Sequence, residues 1–361
     1  MNPRSLSTDP SFPLLSIVIP VYNGGQAFVD CLNAINQSEF RDWELIVVDD
    51  GSTDSSAIVA QQFGANLLHT NGRLGPGAAR NLGAAIAQGE FLCFVDADCE
   101  VHSDTLAQLA QVLQSQSHIS AVFGSYDDAP KAKNFVAQFK NLMHHYVHQT
   151  GYEEATTFWA GCGAVRRSLF LKLGGFDVRR YPRPSIEDIH LGYRIQQAGG
   201  KIQLAKQVQV KHHKAWRLGS LIKVDIFDRG IPWTQLLLEY PNGFVNDLNL
   251  KGSNRMSVVA VYSLLVLLPL TVYVPHMGWL MGLLAAILLW LNRDVYQFFQ
   301  QKRGLVFASR AVFMHWLYYF YSGIAFGLGT IMHSQKQWQP VGMRRFRFRR
   351  TLKRLVGVSD A

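Results

Sequence analysis

The chain has 361 residues, 48% hydrophobic and 17% charged, with a net charge of +9. That length holds one soluble domain of ordinary size and something smaller. Its four cysteines, Cys31, Cys93, Cys99 and Cys162, have no zinc-ligand spacing and no oxidising context, which leaves them as small buried residues.

The N-terminus (MNPRSLSTDPSFP) is polar, with Pro10 and Pro13 at its end and no apolar run before Ser16. No cleavable export signal is expected, and the leading domain is expected in the cytoplasm. Leu14 to Val21 and Leu45 to Asp49 are short apolar runs rich in β-branched residues, each followed by a polar turn with glycine. Ala27 to Asn36 between them has helical spacing, so a right-handed βαβ unit with parallel strands is predicted. A further unit follows, with a helix over Ala78 to Ala87 and a strand over Glu90 to Val95.

That last strand ends in Asp96 and Asp98. Alternation along a strand sends residues i and i+2 to one side, so both carboxylates can reach one hard cation such as Mg²⁺ or Mn²⁺. Acidic residues also end strands simply by facing solvent. Ligands of open α/β sheets bind outside the carboxyl ends of the strands, where these polar signatures fall. There is no Gly-x-Gly-x-x-Gly after the first strand and no Walker lysine loop, which disfavours a nicotinamide dehydrogenase or a P-loop enzyme.

Five stretches, IVIPVYNGG, ELIVVDDGSTD, GPGAARNLGAAIAQGEFLCFVDAD, WAGCGAVRRSLFLKLGGFD and EDIHLGYRIQQAGG, run in this order from about Ser16 to His213. Together they resemble the family 2 glycosyltransferases. The resemblance implies a GT-A fold: an α/β domain with a mixed, mostly parallel sheet and helices on both faces. It also implies a nucleotide-sugar donor, UDP-linked by preference, and a divalent metal. On this resemblance Pro20, Tyr22 and Asn23 would frame base and ribose, Asp49 or Asp50 would accept from a base N–H, and Arg80 would meet base or diphosphate. Asp98 would ligate the metal directly, and Asp96 would reach the ribose or a metal-bound water. His212 would be a third ligand, although a surface histidine between lysines is the competing reading. Asp188 would be the general base of an inverting transfer, with Glu187 orienting the site; the same pair also suits the N-terminus of a helix over Ile189 to Ala198. Ser52 or Thr53 is expected to cap the helix that follows. Gly161, with Cys162 and Gly163, would let sugar or acceptor pass close to backbone.

Trp216, Leu218, Leu221, Ile222, Ile226 and Phe227 recur at roughly helical spacing among charged residues, predicting an interfacial amphipathic helix or an ordinary surface helix. Met256 to Asn292 and Ala311 to Met332 lack Asp, Glu, Lys and Arg and have the length of membrane spans. They would form up to three crossings: Met256 to Val274, a short arm over Met277 to Leu291, and Ala311 to Met332. The last 29 residues carry eight Lys or Arg and one Asp, interleaved with Phe and Leu. That pattern suits an anionic lipid surface and not a nucleic acid. The expected organisation is a cytoplasmic catalytic domain over 1–215, an interfacial segment over 216–255, transmembrane helices over 256–332 and a basic tail over 333–361.

The function expected is transfer of a sugar to a hydroxyl of a membrane lipid, by a multi-pass protein of the cell membrane. Polyprenyl-phosphate transfer and polysaccharide synthesis are the alternatives. The latter is disfavoured because the Gln-x-x-Arg-Trp motif of such synthases has only Arg229-Gly-Ile-Pro-Trp233 near its place. A membrane-bound sugar-nucleotide sensor is the non-enzymatic alternative. Homo-oligomerisation through the apolar helices stays open.

Overall fold

The structure, a computed structural model, describes residues 12–240 and 250–337. The basic tail beyond 337 and part of the expected interfacial segment, 241–249, lie outside the described residues.

The chain opens with β1 (Leu15–Val21), α1 (Gly25–Asn36), β2 (Trp43–Asp49), α2 (Ser56–Gln62), β3 (Asn66–His69), α3 (Pro76–Ile86) and β4 (Phe91–Val95). It continues with β5 (Cys99–Val101), α4 (Thr105–Ser115), β6 (Ile119–Tyr126), α5 (Phe135–Gln149), β7 (Glu154–Ala155), β8 (Cys162–Arg166), α6 (Arg167–Lys172), α7 (Glu187–Gln197) and β9 (Lys201–His212). These strands form one sheet in the order β3-β2-β1-β4-β8-β6-β9-β5, with β7 paired to β9. The first four in that order are parallel, while β8 is antiparallel to both neighbours. The mixed α/β sheet expected from the sequence is therefore present, although its pairings divide evenly, four parallel and four antiparallel, among the described residues.

Every residue of β1 is buried, as a strand covered on both faces requires. Alternation then divides the core. Ile17, Ile19, Val47 and Cys93 pack with Phe28, Leu32 and Leu109 on one face. Val18, Ile46, Val48 and Phe94 pack with Phe170, Phe176 and Leu191 on the other. Helix α3 lies tight on that second face: a Cβ at Gly83 would stand 2.6 Å from Val18 Cγ1. This close seating fixes Arg80, one turn earlier, under the carboxyl ends of β1 and β4.

After β9 come α8 (Leu218–Lys223), a π-helical turn (Val224–Gly230), α9 (Ile231–Glu239), α10 (Gly252–Tyr273), α11 (Met277–Leu291), α12 (Arg293–Arg303) and α13 (Leu305–Gln337). The expected amphipathic helix is thus three pieces, and it packs inward. Trp216 and Leu221 join Phe139, Phe299 and Met314 in one buried cluster, while Leu218 and Phe227 stay exposed.

Among the described residues one helix, α10, is long and apolar enough by itself to cross a membrane. The pair α11 and α12, bent by 63° at their junction, counts at most as a second. The third expected crossing, over Ala311 to Met332, is not among these candidates by length and apolarity in the described residues. That segment lies inside α13, where Tyr319, Tyr321 and Ala325 are buried against neighbouring helices. Its tyrosines and His315 lower its hydropathy because they serve inward packing, and Gly323 admits the Tyr262 ring.

Candidate active site

The loops after β1 and β2 are stitched together by one side chain. Asn23, at φ +51°, accepts at Oδ1 from the backbone N–H of Thr53 (2.7 Å) and of Asp54 (3.3 Å), and its own N–H donates to Ser52 Oγ (3.0 Å). Asn tolerates that left-handed backbone better than most residues. Ser52 and Thr53, expected to cap α2, are used in this seam; the Ser56 N–H donates instead to Asp54 Oδ1 at 3.0 Å. Asp54 Oδ2 also accepts from Gly25 N–H at 3.1 Å, closing the seam from the other side.

Asp49 and Asp50 were expected to face a base. Instead Asp49 Oδ1 accepts from Ser52 N–H at 2.9 Å, and its Oδ2 lies 3.3 Å from His69 Nδ1. Asp50 takes Thr70 Oγ1 and Leu74 N–H on one oxygen and Gly75 N–H on the other, all at 2.8 Å. Both are buried, and neither lines the cavity beside them. They build the turn that starts α3, where Gly75 sits at φ +93° ahead of Pro76.

That cavity, about 670 Å³, lies at the carboxyl ends of β1 and β4 and is lined by Pro20, Tyr22, Asn23, Arg80, Asp96, Asp98, Glu187, Asp188 and His212, among others. Tyr22 is 39% exposed, and the Arg73 guanidinium lies 3.9 Å over its ring. Arg80, expected to meet a base or a diphosphate, is already held by two carboxylates. Its Nη2 donates to Asp96 Oδ1 at 2.5 Å and its Nη1 reaches Glu187 Oε1 at 3.3 Å. The guanidinium is buried, and its Nε has no partner among the described residues. Glu187 Oε2 accepts in turn from Ser185 N–H at 2.8 Å.

Asp98 and His212 face one another, Oδ2 to Nε2, at 3.7 Å. His212 is not the surface residue that flanking lysines suggested. It is buried, and its ring stacks on Tyr126 at 4.0 Å and 10°. Burial alone would raise the Asp98 carboxyl; the His212 imidazole, then Lys214, outweigh it and bring it down to about 2.

Asp188 sits in the first turn of α7. Its Oδ2 accepts from Ala160 N–H at 3.1 Å and its Oδ1 from Ile189 N–H at 2.8 Å. Burial first, and the neighbouring Glu187 charge second, push its carboxyl up to about 6 against those hydrogen bonds and Arg80. Gly161 is buried, and its carbonyl accepts from Asp96 N–H at 3.1 Å. A Cβ there would stand 2.4 Å from the Trp159 ring, so the close approach at Gly161 is made by that indole.

Sequence reasoning missed part of the wall: Lys140 and His144 from α5, Trp159, and Tyr318 from α13. Trp159 opens the quoted stretch WAGCGA and could have been found there. The α5 and α13 residues carry no linear signal, because only folding brings them to the sheet edge. Arg229 and Trp233, noted only as a departure from a motif, also line the cavity.

The sequence model of glycosyl transferase family 2 matches residues 16–174. Those residues are a family 2 glycosyltransferase domain. The glycosyltransferase GlyG of Streptococcus pneumoniae is 35% identical over 118 residues, 31% of this chain and 39% of that protein. This chain therefore spans well under half the length of that relative. The amylovoran biosynthesis glycosyltransferase AmsB of Erwinia amylovora is 26% identical over 236 residues, 60% of this chain and 75% of that one. Among solved structures, a mannosyltransferase from Pyrobaculum calidifontis in complex with GDP-Man and Mn²⁺ superposes with a TM-score of 0.50 at 19% identity. It covers 91% of this chain and 88% of its own, a likeness that shows the fold. The family 2 domain is thus of the GT-A type, and the cavity lies at its strand ends.

Proposed function

We propose that this chain transfers a sugar from a nucleotide-sugar donor to a hydroxyl of a membrane lipid, with inversion at the anomeric carbon. One observation carries the reading. Asp98, facing His212 at 3.7 Å, and Asp188, held by the N–H groups of Ala160 and Ile189, line a single cavity, and their surroundings push the first carboxyl down and the second up. Carboxylates separated in this way take different tasks, one staying ionised and the other exchanging protons near neutral pH.

Asp188 accepts the proton of the acceptor hydroxyl. The acceptor oxygen bonds to the anomeric carbon as the bond from that carbon to the diphosphate oxygen breaks, and the nucleoside diphosphate leaves with the electron pair. Glu187 and Arg80 hold Asp188 and Asp96 in register. Pro20, Tyr22 and the Asn23 seam frame the base and ribose, with Asp49 and Asp50 supporting them from behind.

Among the described residues no three His, Cys, Asp or Glu side chains gather into a metal cage. An ionised Asp98 beside the His212 imidazole is nonetheless a donor set that Mg²⁺ or Mn²⁺ accepts when diphosphate oxygens and water complete the shell. Such an ion would neutralise charge on the departing diphosphate. Asp96 is less free to join it, since one oxygen is committed to Arg80. The helix α10 is proposed to anchor the protein in the bilayer that holds the acceptor.

The test is incubation of the full chain with radiolabelled UDP- and GDP-sugars and a total lipid extract. Label moving into the organic phase, and failing to move with Asp188→Asn, supports the reading. Nucleotide binding without transfer from any donor would support the sensor instead.

A further inference from the structure

The cavity has a second charged end, away from the Asn23 seam, where α5, the π-helical turn and α13 meet. Asp225 is buried there and receives three donors. Lys140 Nζ reaches both its oxygens at 2.9 Å, Arg229 Nη1 reaches Oδ1 at 3.0 Å, and Tyr321 Oη donates to Oδ2 at 2.9 Å. Two cations thus share one carboxylate, leaving a net positive charge. Lys140 and Arg229 both line the cavity, as do Lys214 and the Trp216 ring that Lys214 and Arg229 overlie at 4.6 and 5.5 Å. Arg229 gives a single N–H to Asp225 and makes no other hydrogen bond among the described residues, and its side chain is 40% exposed. The backbone under it is π-helical over a full seven residues, a geometry that recurs at functional sites.

We infer that Arg229, oriented by Asp225 and backed by Lys140, is the contact for a phosphate group on the acceptor lipid. The inference rests on the glycosyltransferase reading and narrows its acceptor to an anionic, phosphate-bearing lipid. Three features favour the acceptor's phosphate over the donor's. The pair is built on α5, the π-helical turn and α13, outside the βαβ loops that frame the nucleoside. Tyr318 and Tyr321 bring α13, which packs against the membrane-length α10, directly to this end. Arg229 and Asp188 line the same cavity, so a lipid gripped here can present its hydroxyl to the base. Arg suits the task because a planar fork anchored on one side keeps its remaining N–H groups aimed at an oxyanion.

The test uses the full chain in a neutral detergent, titrated by tryptophan fluorescence with phosphatidylglycerol, which carries both a phosphate and free hydroxyls, with diacylglycerol, an alcohol without the phosphate, and separately with UDP and GDP. Wild type is expected to prefer the phosphate over the alcohol by about tenfold or more, the scale of one charged hydrogen bond. Arg229→Gln should erase that preference while changing nucleotide affinity less than about twofold, and Arg229→Lys should restore part of it. The basic tail acts equally on all three proteins, so it cannot produce the difference. Loss of nucleotide affinity in Arg229→Gln with the lipid preference intact would assign the pair to the donor and overturn the inference. Equal binding of phosphate and alcohol by wild type, with normal nucleotide binding, would overturn it alone. Failure of every nucleotide to bind would instead bring down the glycosyltransferase reading, and this inference with it.

Discussion

Arg80 Nη2 and Asp96 Oδ1 meet at 2.5 Å, and the same guanidinium reaches Glu187 across 107 residues of sequence. A single buried cation on α3 therefore joins the end of β4 to the first turn of α7. Replacing Arg80 by Met leaves two carboxylates facing each other without their cation. Removing one partner of a buried pair costs about 3–5 kcal/mol, and the partial exposure of Asp96 places this case near the lower figure. Thermal unfolding of the detergent-solubilised chain should show that loss together with a collapse of turnover. A variant of wild-type stability and no turnover would show instead that the guanidinium contacts substrate.

The pH dependence follows from Asp188. Its carboxyl is raised to about 6 in the folded chain, so the base form fills in as pH climbs through that value, and kcat/KM for a hydroxyl acceptor should rise with it. The folded protein holds this proton more tightly than the unfolded one does. The group therefore stabilises the fold in acid, and that contribution disappears as pH rises through about 6. Asp188→Asn should lose about 10²–10⁴-fold in turnover, keep its nucleotide affinity, and unfold no more easily at pH 8. Full turnover by this variant would point to an acceptor that is already an anion.

Against the effect of burial, His212 and Lys214 bring the Asp98 carboxyl down to about 2, which leaves it ionised near neutral pH. Exhaustive chelation should abolish transfer, and added Mn²⁺ or Mg²⁺ should restore it. Asp98→Asn should raise the metal concentration needed for half-maximal activity by about tenfold or more, the range seen when a ligand or its support is removed. Unchanged activity after chelation would exclude the metal role of Asp98 and His212.

Gly161→Ala probes packing beneath the site. The new methyl would stand 2.4 Å from the Trp159 ring, which also forms cavity wall. Overpacking of this kind costs about 1–3 kcal/mol. The expected result is a lowered melting temperature and weaker donor affinity, read by calorimetric titration with a nucleotide. A variant with unaltered binding would show that the indole can step aside.

The strands and helices of the first half were legible because their residues alternate or recur with clean periods and end in Gly or Asp. β1, β2, α1 and α3 fall within two residues of their predicted bounds. What the sequence leaves illegible clusters where one side chain has several physically sensible partners. Asp50 ends a strand as a ligand-facing residue would, and only the fold shows Leu74 and Gly75 returning to take both its oxygens. His212 stands between lysines, yet Tyr126 from β6 covers it. The length and apolarity of Ala311 to Met332 carry no sign that its tyrosines turn inward, and the cationic end of the cavity joins the local Asp225–Arg229 pair to Lys140 and Tyr321, 85 and 96 residues from Asp225 in sequence.

The four thiols have a practical consequence. All are buried and free, and burial pushes each above its ordinary value, Cys93 to about 12. Reagents that attack thiolates will pass over the native chain, which is already a blank background. A cysteine placed in turn along α10 to α13 would then report by maleimide labelling, from either side of a sealed vesicle, which stretches meet water.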